Sequence, residues 1–258
     1  MSTGTASRRA SPTGIAAGDE AAAAKNIREM FGRVAPRYDL LNKLLSVRID
    51  HYWRRRLISA VRPYLEQPNL RAADLCCGTA DVVLALTNEH RRLTTSETSR
   101  IIGSDFCRPM LTGAAAKLNR ESLRNPLIEA DATRFPLRDG SLDLITVAYG
   151  FRNLANYQRG IEEFARLLDD GGCLAILEFS QPTNRLMAPL FGFYFRHVLP
   201  RIGNTISGAS GAYSYLQDSV ERFLTPDELA ELMRDCGFRR VEYQLLTGGI
   251  SALHLAYK

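Results

Sequence analysis

Short apolar runs alternate with helical patterns between residues 72 and 179, and this alternation limits the fold more than any other feature. Strands are predicted at 72–76, 100–103, 126–129, 142–149 and 173–179, and helices at 81–86, 109–118 and 157–168. Strand–helix units repeated in this way form a parallel sheet with helices on both faces. Two final strands, 239–245 and 252–257, are joined by T-G-G-I-S, which is short enough for an antiparallel hairpin. The predicted fold is α/β, with a mostly parallel sheet that ends in an antiparallel hairpin.

Three other segments complete the predicted organisation. Residues 1–22 have almost no large apolar side chains, so they are predicted to be a disordered tail. Residues 23–65 carry apolar side chains at helical spacing and are predicted to form an N-terminal helical cap. Residues 181–215 are strongly apolar and are predicted to be a helical insertion that covers a substrate. We therefore expect one domain over residues 23–258.

Composition narrows the class of protein. The chain has no uncharged apolar stretch of about 18 residues and no apolar leader, so we expect a cytoplasmic protein without a membrane span. Its five cysteines show no C-x-x-C spacing and no His-plus-carboxylate cluster is visible, so no metal site is predicted. Residues 48–62 carry five arginines and one aspartate. This segment suits an anionic surface, or else it is an ordinary solvated helix face.

The turn after the first predicted strand, from Cys76 to Asp81, contains the single glycine Gly78. A dinucleotide site requires G-x-G-x-x-G and a P-loop requires Gly-Lys-Ser/Thr, and the turn has neither pattern. Carboxylates lie near this turn and near the ends of later strands, at Asp74, Asp81, Asp105 and Asp131. Ligands of open α/β sheets bind beyond the carboxyl ends of the strands. Four carboxylates at that edge would repel phosphate and favour a cationic ligand.

S-adenosylmethionine (SAM) matches this pattern, because it carries an ammonium, a sulfonium, a ribose diol and an adenine but no phosphate. Asp105 is placed to accept hydrogen bonds from both ribose hydroxyls, and Asp131 and Ala132 would flank the adenine. The alternative for any one aspartate is that it caps the next helix. The ordered set of aspartates favours SAM binding.

Longer stretches resemble the C-methyltransferases of menaquinone and ubiquinone biosynthesis across residues 25–258. The resemblance is carried by F-G-R-V-A-P-R-Y-D-L-L-N at 31–42, D-A-T-R-F-P-L at 131–137, Y-G-F-R-N-L at 149–154, G-G-C-L-A-I-L-E-F-S at 171–180, H-V-L-P-R-I-G at 197–203 and A-Y-S-Y-L-Q-D-S at 212–219. So many stretches in one order make the resemblance specific. It implies a class I SAM-dependent methyltransferase with a Rossmann-like sheet over residues 23–258.

The resemblance also implies which residues bind SAM. The family's contacts fall on Thr79, Asp105, the Asp131–Ala132 pair and Ala148, where family members can have serine. Asp74 and Gly78, which frame the turn, complete the predicted cofactor-binding set. The family's turn usually reads G-G-T-G-D, whereas this chain has Cys77 and Ala80. Its backbone must form the turn without the conformational freedom of those two glycines.

The implied reaction is methyl transfer from SAM to a ring carbon of a reduced, prenylated quinone. That carbon is nucleophilic only when a neighbouring hydroxyl is deprotonated or nearly so. Arg152 and Asn153 are predicted to hold a water or the developing phenolate, with Tyr149, His197 and Tyr213 behind them. An arginine can lower the pKa of the phenol by stabilising its anion. The alternatives are a structural ion pair for Arg152 and core packing for His197.

Demethylmenaquinol is the first expected substrate, and the ubiquinone precursor 2-methoxy-6-polyprenyl-1,4-benzoquinol is the second. Tyr38, Asp39 and Asn42 belong to a family stretch that is expected to close over the substrate. A prenyl tail and the arginine-rich segment together predict peripheral contact with the inner face of the membrane.

Other functions and partners stay open. The fourth strand lacks the Asn/Asp-Pro-Pro-Tyr/Phe sequence of enzymes that methylate base amino groups, so no nucleic acid partner is expected. The remaining alternatives are methylation of another apolar small molecule and a SAM-binding scaffold without activity. A homodimer and a quinone-pathway complex are both compatible with the sequence.

Overall fold

In the part of the chain that the structure describes, seven strands form one sheet in the order β3-β2-β1-β4-β5-β7-β6. This architecture comes from a computed structural model that describes residues 20–35, 49–95, 99–182, 192 and 212–258. The strands are β1 (Arg71–Leu75), β2 (Arg100–Asp105), β3 (Leu127–Glu129), β4 (Leu142–Ala148), β5 (Leu168–Phe179), β6 (Arg240–Leu246) and β7 (Ser251–Tyr257). The helices are α1 (Glu20–Val34), α2 (Ile49–Ala60), α3 (Arg62–Leu65), α4 (Asp81–Leu93), α5 (Arg108–Arg120), α6 (Tyr157–Leu167), α7 (Ala212–Arg222) and α8 (Pro226–Asp235).

One strand runs against the others. β7 pairs antiparallel with β5, from Cys173 opposite Tyr257 to Phe179 opposite Ser251, and it pairs antiparallel with β6 as well. The pairs β1–β2, β2–β3, β1–β4 and β4–β5 are parallel. The predicted mostly parallel sheet with a C-terminal antiparallel hairpin is therefore confirmed. The strand order reverses between β1 and β4, and the ends of these strands border the crevice where such sheets bind ligands.

The central strands are apolar on both sides because helices cover both faces of the sheet. On one face, Leu144 and Ala175 pack with α2, α4 and α5 around Leu57 and Leu86. On the other face, side chains of β4 and β5 pack with α6 and α8 around Phe164. Truncating a fully buried aromatic such as Phe164 to alanine typically costs about 3–5 kcal/mol.

Local sequence signals explain where several helices begin. Thr225 caps α8 by accepting a hydrogen bond from the Glu228 backbone N–H, and the Glu228 carboxylate accepts from the Thr225 N–H. Pro226 follows at the first helical position, which needs no backbone N–H. Asn156 caps α6 in a similar way by accepting from the Arg159 N–H. The predicted start of the last helix agrees with this geometry.

The predicted segment boundaries fit the described residues in part. Helices α1, α2 and α3 fall in the predicted cap, but α1 begins at Glu20, so residues 20–22 are helical rather than part of a tail. Residues 1–19 and most of the predicted insertion at 181–215 lie outside the described residues. Strand β5 begins at Leu168, five residues before its predicted start, because Leu168 pairs with Leu142 ahead of a register shift. None of the described helices has the length and apolarity needed to span a membrane.

Candidate active site

A cavity of about 750 Å³, counting its open mouth, lies where β1, β2, β3 and β4 end. Seven of the eleven residues predicted for the site line it, namely Gly78, Asp105, Asp131, Ala132, Ala148, Tyr149 and Asn153. Asp105 and Asp131 are the charged residues of this lining, and no lysine, arginine or histidine of the described segments lines it. The cavity therefore has the negative, largely apolar character that a cationic nucleoside requires.

The turn between β1 and α4 forms the floor of the cavity. Cys76, Gly78 and Ala80 have φ angles of 57°, 54° and 67°, so alternate residues adopt the left-handed conformation. This conformation costs roughly 1–2 kcal/mol for a residue other than glycine. Backbone bonds hold the turn in place, including one of 2.8 Å from the Cys77 N–H to the Ser104 carbonyl. Strain that is held by surrounding bonds is typical of binding sites.

Asp105 ties the end of β2 to this turn. One carboxylate oxygen accepts from the Gly78 N–H at 2.9 Å, and the other accepts from the Cys107 N–H at 2.9 Å. Burial raises the pKa of Asp105, and these backbone donors partly oppose that rise. A carboxylate has about four acceptor sites, more than these backbone donors use, so it can still accept from a ribose hydroxyl. The geometry is compatible with the predicted ribose contact and adds a structural role.

Asp131 and Ala132 also line the cavity. The Asp131 carboxylate accepts from both the backbone N–H and the hydroxyl of Thr133, each at 2.8 Å. These bonds make Asp131 the first residue of an Asx turn that orders the chain after β3. Ala132 is buried beside it and has a small side chain. Their predicted contact with adenine remains a prediction.

Two residues predicted to touch SAM do not line the cavity. Asp74 is buried in β1, where it accepts a 2.6 Å hydrogen bond from the Thr146 hydroxyl, and burial raises its pKa to about 7. The Thr79 hydroxyl accepts from the Lys117 ammonium at 3.0 Å, and Lys117 is paired with Asp81 at 2.6 Å. Both side chains are already bonded within the protein, and their predicted contacts with SAM stay predictions.

Arg152 also lies behind the cavity wall. Its guanidinium donates to the Glu178 carboxylate at 2.7 Å and to the Tyr149 carbonyl at 2.5 Å, and its side chain is 7% exposed. A buried arginine needs a carboxylate partner, which Glu178 supplies from the end of β5. The geometry thus favours the structural ion pair over the predicted contact with substrate. Arg152 joins the segment after β4 to the end of β5.

Tyr149 and Asn153 are the two predicted catalytic residues that reach the cavity. Tyr149 has a φ angle of 58°, and its ring packs 4.8 Å from Phe179 and 6.1 Å from Trp53. Burial raises the pKa of its hydroxyl well above the ordinary value, and the nearby Ser251 hydroxyl only partly opposes this. The Asn153 side-chain oxygen accepts from the Tyr215 hydroxyl at 2.9 Å.

The remaining predicted residues lie outside the described part of the chain. These are His197, Tyr38, Asp39, Asn42 and the side chain of Tyr213. Their predicted roles are therefore still predictions.

The cavity includes residues that sequence reasoning missed. Phe31 of α1 and Phe106 and Met110 near the start of α5 contribute apolar wall. Sequence reasoning also missed Gly150, which lines the cavity. A side chain does not fit there, because a Cβ added at Gly150 would lie 2.3 Å from the Cys76 Cβ. The recurrence of Phe31 at helical spacing shows that it is on a buried face, but not which surface covers it. The presence of glycine in Y-G-F-R-N was the available signal for the close approach at Gly150.

Solved structures share this fold at low sequence identity. A SAM-dependent methyltransferase from Thermotoga maritima, described as a possible histamine N-methyltransferase, is 16% identical with a TM-score of 0.61, covering 89% of this chain and 98% of that chain. Phosphoethanolamine N-methyltransferase 2 of Haemonchus contortus, solved with SAM, is 11% identical with a TM-score of 0.57, covering 79% of this chain and 52% of that chain. These similarities confirm the predicted class I methyltransferase fold.

Curated relatives are much closer in sequence. A demethylmenaquinone methyltransferase of Deinococcus radiodurans is 41% identical over 241 residues, which covers 93% of this chain and 96% of the relative. A ubiquinone/menaquinone biosynthesis C-methyltransferase of Syntrophotalea carbinolica is 42% identical over 230 residues, covering 89% and 93%. The family model described as the ubiE/COQ5 methyltransferase family matches residues 19–258. The predicted SAM-dependent methyltransferase is confirmed, and the chain belongs to the ubiE/COQ5 methyltransferase family.

Proposed function

We propose that this protein methylates a ring carbon of a reduced, prenylated quinone, with demethylmenaquinol as its first substrate. The cavity carries the proposal, because its two carboxylates and apolar walls suit a cationic methyl donor beside an apolar ring. The names of the relatives from Deinococcus radiodurans and Thermus thermophilus, both demethylmenaquinone methyltransferases, support the choice of substrate. The name of the Syntrophotalea carbinolica relative supports the ubiquinone precursor as a second substrate.

The described residues fit SAM by their chemistry. Asp105 would hold the ribose hydroxyls, Asp131 and Ala132 would border the adenine, and the strained turn around Gly78 would lie against the methionine part. When bound, SAM supplies a methyl group on a sulfonium, which is electrophilic. Since no described lysine or arginine lines the cavity, the carboxylates are not neutralised by a neighbouring lining cation. A positive ligand therefore gains the most from entering it.

The protein's own part in the reaction is alignment and exclusion of water. Burial raises the pKa values of the Tyr149 hydroxyl and the Cys76 thiol, so both groups stay protonated near neutral pH and neither serves as a base. Asn153 is the uncharged polar group beside Tyr149 on this wall. Its carboxamide would hold the quinol oxygen and favour the phenolate-like form that makes the ring carbon nucleophilic.

We also propose that the protein meets the membrane through α2. This helix exposes Ile49 and Tyr52, which are 38% and 50% exposed, beside the exposed Arg55. Apolar and aromatic side chains next to arginine are typical of helices that lie in the headgroup region of an anionic bilayer. The same helix places Trp53 against Tyr149. The helix that would meet lipid on one face thus contacts, through Trp53, a residue that lines the cavity for the prenylated ring.

The proposal is tested by transfer of labelled methyl from SAM to reduced demethylmenaquinone and, separately, to the methoxy-benzoquinol precursor of ubiquinone, in detergent. Asp105→Asn should lower SAM affinity at least about 10-fold, because only one arm of an amide accepts hydrogen bonds, whereas both oxygens of the carboxylate do. Asp170→Asn, at an exposed position of β5, is the matched control. No turnover on either quinol by a protein that binds SAM would reject the proposed substrates. That result would favour another apolar substrate or a scaffold.

A further inference from the structure

Tyr215 reaches the cavity wall from α7, although it does not line the cavity itself. Its hydroxyl donates a 2.9 Å hydrogen bond to the side-chain oxygen of Asn153. Asn153 lies in the short 3-10 turn Phe151–Asn153, which Gly150 separates from the strained Tyr149. A residue of the C-terminal half of the chain thus holds the one carboxamide in the described cavity lining.

This bond sets the orientation of the Asn153 carboxamide. An asparagine side chain has an acceptor oxygen on one arm and a donor NH₂ group on the other. Because the oxygen is turned to Tyr215, the NH₂ group on the other arm points away from Tyr215. No described group accepts a hydrogen bond from that NH₂ group, yet it is not among the buried polar atoms that lack partners. Asn153 borders the cavity, so this arm of its carboxamide has the cavity beside it.

The surroundings of Tyr215 keep it a donor. Burial raises the pKa of its phenol, and the Arg152 guanidinium only partly opposes that rise. The hydroxyl therefore stays protonated well beyond neutral pH. Asparagine does not titrate, so the Tyr215–Asn153 bond has the same polarity throughout the working range of an enzyme.

A second contact holds α7 in the same place. The Arg152 side chain donates to the Ser219 hydroxyl at 3.3 Å, one helical turn beyond Tyr215. Arg152 is in turn fixed by its buried ion pair with Glu178. Adjacent turns of α7 therefore bond to adjacent residues of the 3-10 turn, and a shift of α7 along its axis would break both bonds together.

We propose that Tyr215 is a positioning residue that turns the NH₂ group of Asn153 into the cavity as a donor to the quinol oxygen. This inference rests on the proposed function for its substrate. The hydroxyl of Tyr215 touches no reacting atom, and it acts by fixing which arm of Asn153 the substrate meets. Without it the carboxamide can rotate, and its oxygen would then repel the developing phenolate.

The test is a double-mutant cycle with Tyr215→Phe and Asn153→Ala, assayed for kcat and KM on the quinol and for SAM affinity. Tyr215→Phe should lower kcat about 10- to 100-fold with SAM affinity unchanged. In the Asn153→Ala background it should cause no further loss, since the group that it positions is absent. Tyr243→Phe removes a hydroxyl bonded to Asp227 on the surface and is the matched control. Equal losses from Tyr215→Phe in both backgrounds, or no loss in the wild-type background, would overturn the inference.

A second measurement does not depend on turnover. The Asn153 carboxamide resonances, assigned by their absence in Asn153→Ala, should shift in Tyr215→Phe and stay in place in Tyr243→Phe. Unchanged resonances in Tyr215→Phe would overturn the inference even in an active enzyme. If the wild-type protein methylates neither quinol but the resonances shift, the proposed substrate fails while the positioning of Asn153 stands.

Discussion

Gly150 lies close to Cys76 in the turn between β1 and α4. A Cβ at Gly150 would lie 2.3 Å from the Cys76 Cβ and 3.3 Å from its carbonyl oxygen. We expect Gly150→Ala to cost about 1–3 kcal/mol in the free energy of unfolding, because the two segments must separate, and to weaken SAM binding as well. Gly32→Ala in α1 is the control, since its nearest neighbour would be 3.8 Å away. Denaturant unfolding and calorimetric titration with SAM check both effects.

Asp74 makes stability depend on pH in an unusual direction. Its pKa is raised from 3.8 to about 7 in the folded protein, mainly by burial, so the unfolded chain ionises first as the pH rises. The contribution of this carboxyl to stability is complete below about pH 4 and is lost as the pH rises through 7. Asp74→Asn removes that loss. The free energy of unfolding of Asp74→Asn, relative to that of wild type, should therefore rise by roughly 4 kcal/mol between pH 4 and pH 8.

The measurement for Asp74 is denaturant unfolding of both proteins at several pH values, with Asp170→Asn as an exposed control. A constant difference between Asp74→Asn and wild type over this range would contradict the expected ionisation of Asp74.

Arg152 should matter first for stability. Arg152→Ala leaves the buried Glu178 carboxylate without its partner, which typically costs about 3–5 kcal/mol. Arg152→Met combined with Glu178→Gln removes both charges and should recover most of that loss. Thermal unfolding compares the three proteins. Full stability of Arg152→Ala, together with loss of turnover, would instead support the predicted role of Arg152 at the substrate.

At the scale of elements, α1 is a wall of the cavity as well as part of a helical cap. Ala24 and Phe31 line the cavity, and the buried Ile27 lies between them on the same face of the helix. We expect Phe31→Ala to weaken SAM binding about 3- to 30-fold, because a ring-sized part of the apolar wall is lost. The overall unfolding transition should change little, since α1 packs at the edge of the domain. Glu29→Ala, at an exposed position of the same helix, is the control for binding.

The strands and helices could largely be located from the sequence, because their signals are local. The capping sequence T-P-D-E identified the start of α8, and alternating segments identified β1 to β5. The start of β5 was missed because Leu168 joins the sheet through its pairing with Leu142. That pairing depends on a partner 26 residues away, which no local pattern contains.

At the scale of the whole molecule, charge and exposed apolar groups meet on α2. If Ile49, Tyr52 and Arg55 contact lipid, binding to vesicles with anionic lipid should fall as salt is raised. We expect Tyr52→Ser with Arg55→Ser to lower vesicle binding at least about 10-fold, while turnover on a short-chain soluble quinol stays unchanged. Arg138→Ser, at an exposed position elsewhere, is the control. Co-sedimentation with vesicles of neutral and of anionic lipid makes the comparison.

The sequence by itself determined the fold class, the family and the acidic edge of the sheet, because these depend on residue order and on the ends of strands. Asp105 ends β2 and Asp131 follows β3, so a parallel sheet brings both to the same edge. Tertiary structure decided which neighbouring residues line the cavity. Asp74, Thr79 and Arg152 do not line it, and the side chain of each bonds to a partner from a distant segment, namely Thr146, Lys117 and Glu178. A buried polar group is directed by the partner that satisfies it, and that partner is known only once the chain has folded.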